Sequence, residues 1–281
     1  MTHPLFQDGL FKDKVVVVTG GGTGIGAAIS HDFSLLGAQV VIASRKQERI
    51  EKAATGLSAL TNHSVLGLPC NIRDRESVDS FVDRVLTAFG RVDVLVNNGG
   101  GQFFSPAERI SDKGWDAVIQ TNLTGTWNLS SRIAKGSMLK TGGKIINITM
   151  LTDRGFPGMA HSVAARAGVE AMTKTLAIEW APKGVLINAI QPGIIASSGL
   201  YNYPQGIAIA EGTRPEIPLK RLGYCTEISH LTCFLASPAG NYITGQVLTV
   251  DGGRSLWGKN WPIPNPKEFE AVDVPKWPWE E

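Results

Sequence analysis

The chain has 281 residues, 43% hydrophobic and 19% charged, with a formal net charge of +2. That length buries a substantial core, and so small a charge gives no case for nucleic acid or a membrane surface as partner. Cys70, Cys225 and Cys233 are too few and too scattered for a disulfide framework or a metal site, and they read as buried thiols of a reducing compartment.

The opening stretch MTHPLFQDGLFKDK lacks the charged and apolar regions of a secretion signal, and no apolar run approaches the ~18 residues that span a bilayer. A cytoplasmic protein is therefore expected. The first strand, KVVVVTG, runs into a glycine cluster, and GIGAAISHDFSLLGA then reads as a helix closed by Gly37. QVVIAS is the next strand, followed by a charged helix from about Lys46. SVLGLPCNI, VDVLVNN, GKIINIT, GVLINAIQPG and GQVLTVDGG continue the series, with helical segments between most of them. Strands apolar along their whole length and alternating with helices predict an α/β fold. Its parallel sheet is doubly wound, Rossmann-like and covered on both faces. No linker interrupts residues 1–256, so one domain is expected there. Residues 194–218 mix glycine, proline and aromatics and predict an irregular lid. Residues 257–281 hold four of the seven tryptophans and five of the fifteen prolines, which predicts an extended arm packed on its own or a neighbouring subunit.

TGGGTGIG, Thr19 to Gly26, lies between the first strand and the first helix. Glycines there let backbone N–H groups approach a diphosphate at a helix N-terminus, so Gly20, Gly22, Thr23, Gly24, Ile25 and Gly26 are assigned to a dinucleotide. An NAD site presents a carboxylate about twenty residues further on. Here the second strand ends in Ser44, Arg45 and Lys46, a hydroxyl and two cations that suit a 2′-phosphate, and NADP(H) is the predicted cofactor.

The glycine spacing, then NNGG, then PG after the sixth strand together resemble the short-chain dehydrogenase/reductase family over nearly the whole chain, to VDGGRSL. The resemblance implies that Asn98, Gly99 and Gly100 of NNGG support the cofactor near its adenosine half, that Asn71 and Ile72 contact adenine, and that Pro192, Gly193 and Ile195 lie against the nicotinamide. It implies that Asn122 orders a proton relay and that the catalytic hydroxyl falls at or beside Thr149. It also implies that the family's tyrosine and lysine fall on Ser162 and Arg166, with Arg166 holding the nicotinamide ribose. The tyrosine is absent and the lysine replaced. GFPGMAHSVAARAGV with NIT, EWAP and DGGRSLW is most similar to a branch around peroxisomal trans-2-enoyl-CoA reductase and the 2,4-dienoyl-CoA reductases. Glu170 stands where enoyl reductases of that kind carry another tyrosine. A homodimer or homotetramer is the assembly the family implies.

Carbonyl reduction benefits strongly from a phenol beside the oxygen, whereas a conjugated thioester first needs support for the charge on its oxygen. With Thr149 as oxyanion donor and Arg166 as a cation that cannot shuttle protons, the sequence favours NADPH-dependent reduction of an enoyl or dienoyl thioester. Two readings stay open beside it. One is an alcohol or ketone oxidoreductase, for example on terpenoid alcohols, and the other is a non-catalytic NADP-binding protein. Tyr201 and Tyr203 in the lid and His161 are further proton donors to weigh, each with structural packing as the plainer role.

Overall fold

The computed structural model describes residues 3, 5–203 and 205–280. In chain order, β1 (Val15–Thr19), α1 (Gly24–Leu35), β2 (Gln39–Ser44), α2 (Gln47–Thr61), β3 (Val65–Pro69), α3 (Arg75–Phe89) and β4 (Val94–Asn97) form the first half. α4 (Asp112–Ile119), α5 (Gly125–Ile133), α6 (Leu139–Thr141), β5 (Gly143–Ile148), α7 (Ala160–Trp180) and β6 (Val185–Pro192) follow. The last third holds β7 (Ile195–Ala196), α8 (Gly206–Thr213), β8 (Gly223–Tyr224), α9 (Cys225–Ala236) and β9 (Val247–Val250).

All the main strands join one parallel sheet in the order β3-β2-β1-β4-β5-β6-β9, the doubly wound arrangement expected. Strand order reverses between β1 and β4, and in such sheets the crevice for ligands opens at the carboxyl ends of the strands around that reversal. Alternation along β1 sends Val16 and Val18 into the layer under α1, α2 and α9, and Val15 and Val17 into the layer under α3, α5 and α7. Each face is thus an apolar layer, which is why most strand positions are apolar. Local signals place the helix ends. The Asp74 carboxylate accepts the Glu76 N–H at the start of α3, and Gly90 closes that helix in the left-handed region at φ 74°.

One segment departs from expectation. The stretch after β6 is only partly irregular, because GIAIAEGT forms α8, and β7 pairs with β8 in a separate two-stranded sheet. The residues beyond β9 form no regular helix or strand among those described, and they return across their own chain to α1 and α2. Among the described residues no helix is long and apolar enough to cross a membrane. All three cysteines are buried and free, and burial pushes the Cys70 and Cys225 thiols up to about 12, so neither is a nucleophile at neutral pH.

Candidate active site

The crevice is built first from glycines. A Cβ on Gly26 would lie 2.1 Å from the Gly20 carbonyl oxygen, so only hydrogen fits where α1 leaves the loop. Gly20 at φ 62° and Gly24 at φ 47° turn the chain in the left-handed region. Thr23 gives α1 no side-chain cap, which leaves its first N–H groups facing the crevice. The Gly20 N–H donates to the Ala43 carbonyl, 2.8 Å, and so ties the loop to the end of β2. There Ser44 is half-buried while Arg45 and Lys46 are exposed.

From the other side of the reversal, Thr19 Oγ1 accepts the N–H groups of Asn98, 3.0 Å, and Gly99, 2.8 Å, and the Asn98 amide donates back to the Thr19 carbonyl at 3.0 Å. NNGG is therefore bolted to the end of β1. Ile72 packs on Gly125 of α5, and Asn128 donates to the Ile72 carbonyl, 3.1 Å. Asn71 stands beside it, its N–H held by Ser77. Gly193 donates to the Val250 carbonyl, 2.9 Å, and the chain then passes through buried Ile195 to Ser197, which lies over Gly24. These residues fit a nicotinamide dinucleotide: a cradle without Cβ atoms, the N-terminus of α1 without a cap from Thr23, and cations at the end of β2.

Arg166 on α7 is 7% exposed. Its Nη1 donates to the Ile148 carbonyl at the end of β5, 2.8 Å, and a Cβ on Gly100 would lie 2.2 Å from its Nη2. Its Nε–H has no partner among the described residues. Burial lowers the guanidinium to about 10, with Tyr203 and Glu170 opposing the shift, so it remains a cation at neutral pH. Asn122 is fully buried in a short π-helical stretch, Gln120–Thr124, between α4 and α5. Its amide accepts the Gly101 N–H, 3.0 Å, and donates to the Gly101 carbonyl, 2.8 Å. Asn122 thus fixes the turn against which Arg166 rests.

The Thr149 hydroxyl, expected at or beside the catalytic position, is engaged by the sheet in this structure. Thr149 Oγ1 donates to the Ile190 carbonyl of β6, 3.1 Å, and is buried there. The next residue, Met150, faces α7, and its sulfur accepts the Ser162 hydroxyl at 3.3 Å. Successive residues leaving a strand point to opposite sides, so only one of the pair can meet Ser162, and it is the thioether. The same Ser162 hydroxyl lies 2.9 Å from the Gln102 side-chain oxygen, so its one proton is shared between that oxygen and the sulfur. Gln102 was not singled out from the sequence, because it lies in a loop with no spacing to mark it.

Glu170 accepts from Thr152, 3.0 Å, and from the Gln191 amide, 2.9 Å, while Gln191 accepts from Thr249, 2.8 Å. That satisfied network links α7, β6 and β9. His161 is fully buried against the edge of Phe103, and burial lowers its pKa. Tyr203 meets Phe104 edge-on, ring centroids 5.3 Å apart, and Phe104 neighbours Phe156 at 6.1 Å, so the mouth has an aromatic wall. The Tyr201 side chain lies outside the described residues.

Comparison with known proteins fits this geometry. The family profile described as enoyl-(acyl carrier protein) reductase matches residues 20–255. The chain is 39% identical over 261 residues to the peroxisomal 2,4-dienoyl-CoA reductase of Danio rerio, covering 92% of this chain and 87% of that one. It is 36% identical over 252 residues to a probable 2,4-dienoyl-CoA reductase of Bacillus subtilis, 87% and 98% covered. Among solved structures, a citronellol catabolism dehydrogenase of Pseudomonas aeruginosa is 39% identical with a TM-score of 0.80, covering 89% of this chain and 98% of that one. An actinorhodin polyketide ketoreductase solved with NADPH is 27% identical with a TM-score of 0.80, covering 87% and 98%.

Proposed function

Since the chain belongs to the short-chain dehydrogenase/reductase family, we propose that it uses NADPH to reduce the carbon–carbon double bond of 2-enoyl or 2,4-dienoyl thioesters such as acyl-CoA. The observation that carries this reading is the Met150–Ser162 contact. A thioether and an aliphatic hydroxyl stand where carbonyl chemistry is helped by a phenol. The thioether has no proton to give, and the hydroxyl is a far weaker acid than a phenol.

The bound nicotinamide supplies the hydride. Arg166 holds the cofactor ribose and keeps positive charge beside the reacting region, and as an arginine it binds without moving protons. Reduction of a conjugated thioester places charge on its oxygen, away from the reduced carbon, so a fixed donor matters more than an acid. Gln102 is such a donor. Its side-chain oxygen accepts from Ser162, which leaves its NH₂ group to donate. The α-carbon takes its proton afterwards from water. The aromatic wall of Phe104, Phe156 and Tyr203 suits an acyl chain. Ser44, Arg45 and Lys46 support the choice of NADPH. A cytoplasmic homodimer or homotetramer completes the proposal.

Purified protein mixed with NADPH and a panel of enoyl-CoA, dienoyl-CoA, ketone and aldehyde substrates tests it. Oxidation of NADPH is expected with the unsaturated thioesters and not with simple ketones. Efficient turnover of ketones or alcohols, with every thioester untouched, would sink the reading. It would favour alcohol chemistry instead, which the likeness to the citronellol dehydrogenase supports.

A further inference from the structure

The arm beyond β9 reaches the crevice with Trp279 and Glu280, in contacts specific enough to have a purpose. Trp279 is 8% exposed, and its indole Nε1–H donates to the Gly22 carbonyl, 2.7 Å, within the glycine-rich loop. Gly56 of α2 makes room for it, since a Cβ there would come within 2.1 Å of the indole ring. The next residue, Glu280, accepts the Gly24 N–H at 3.3 Å and the Ser198 hydroxyl. The segment is braced as well, because Trp277 donates its N–H to the second Glu280 oxygen, 3.0 Å, and stacks on Trp279 with ring centroids 5.3 Å apart.

We propose that Trp279–Glu280 is an internal ligand of the cofactor seat, in which Glu280 holds the place of the dinucleotide's diphosphate and must withdraw before the dinucleotide binds. Gly24 opens α1, where the helix dipole and the N–H groups of the first turn attract one anion. A carboxylate and a diphosphate cannot share that N–H, because like charges in one site repel. Trp279 binds on the α2 side of the loop, beside Gly56, so the indole serves as the anchor and Glu280 as the movable plug. Binding energies at the two ends are then coupled reciprocally, so whatever favours the docked arm weakens the cofactor by the same factor. This inference needs only that the family's dinucleotide binds here, and it stands or falls apart from the enoyl-thioester reading.

The test is a calorimetric titration of the full-length protein with NADPH, in the parent and in Glu280→Gln, Glu280→Asp and Trp279→Ala. Replacing the anion by an amide removes one charge-assisted contact, so Glu280→Gln should bind NADPH about tenfold tighter. Trp279→Ala should also bind tighter, through loss of the anchor, and Glu280→Asp should stay near the parent. Hydrogen exchange supplies the second readout, and backbone amides of 276–280 should lose protection when NADPH is added to the parent protein. Unchanged affinity in Glu280→Gln and Trp279→Ala, with unchanged exchange, would overturn the proposal. Weaker binding in both variants, with greater protection on adding NADPH, would overturn it too, because the arm would then be a clamp over the cofactor. Thermal melting of each variant shows whether it is folded before its affinity is read.

Discussion

Arg166 is the cation on which the site turns, and its surroundings decide how substitutions behave. Arg166→Lys keeps the charge on α7 and should retain appreciable activity. Arg166→Ala leaves the buried Ile148 carbonyl without its donor and misplaces the ribose, a displacement of the kind that costs ~10²-fold in turnover. Steady-state kinetics of the two variants check this, and wild-type turnover and cofactor affinity in Arg166→Ala would remove the assigned role. Thr149 and Gln102 separate structure from chemistry. Because the Thr149 hydroxyl is bonded to Ile190, Thr149→Val should lower stability by about 0.5–1.5 kcal/mol in denaturant melts and leave turnover near the parent value. Gln102→Leu should do the reverse, lowering turnover at least tenfold with little change in melting, as loss of an oxyanion donor does. The choice between Thr149 and Met150 as the residue facing Ser162 marks a limit of reading residues from sequence. One step along the end of β5 reverses the side of the strand, and NITM carries no pattern that sets the parity. Ser162 and Arg166 were legible because four residues on a helix fix their common face.

At the scale of elements, the main strands were legible because burial on both faces demands unbroken β-branched runs. α8 was not, since a short helix bounded by glycine and proline has too few turns to show a period. The π-helical stretch at Asn122 was invisible for a different reason. It depends on how α4 and α5 are packed, and no local residue requires it. β5 and α9 are joined by Lys144, whose Nζ donates to the Leu235 carbonyl, 3.0 Å, and the Ser237 carbonyl, 2.6 Å. Lys144→Met should therefore cost about 1–3 kcal/mol of stability, by leaving carbonyls at that helix end unpaired. Burial lowers this lysine from its usual 10.5 to about 8. Between those values the unfolded chain holds the proton more tightly than the folded one, so unfolding free energy should rise with pH from about 8 to 10.5. Denaturant melts across that range should show the rise in the parent and lose its Lys144 component in Lys144→Met.

For the whole molecule, the sheet order brings the ends of β1, β2, β4, β5 and β6 to one crevice, and the proposed preference for NADPH rests on side chains at its rim. Replacing Arg45 and Lys46 together by alanine should weaken NADPH binding by about tenfold to a hundredfold and leave NADH unaffected, read by fluorescence titration. Equal affinity of the parent for the two cofactors would contradict the assignment.

The register of β1 bears also on how the chain reaches this state. Val16 lies between Val40 on β2 and Val94 on β4, yet these neighbours are synthesised far apart. β2 leaves the ribosome one helix after β1 and covers one edge of it early. The other edge waits for β4, behind α2 and α3, and β5, β6 and β9 can add only after that. Through that interval Val16 to Val18 form an open apolar edge, the kind that recruits other nascent chains. Refolding yield should accordingly fall with protein concentration, and slowed synthesis before residue 94 should increase aggregation more than the same delay after residue 192.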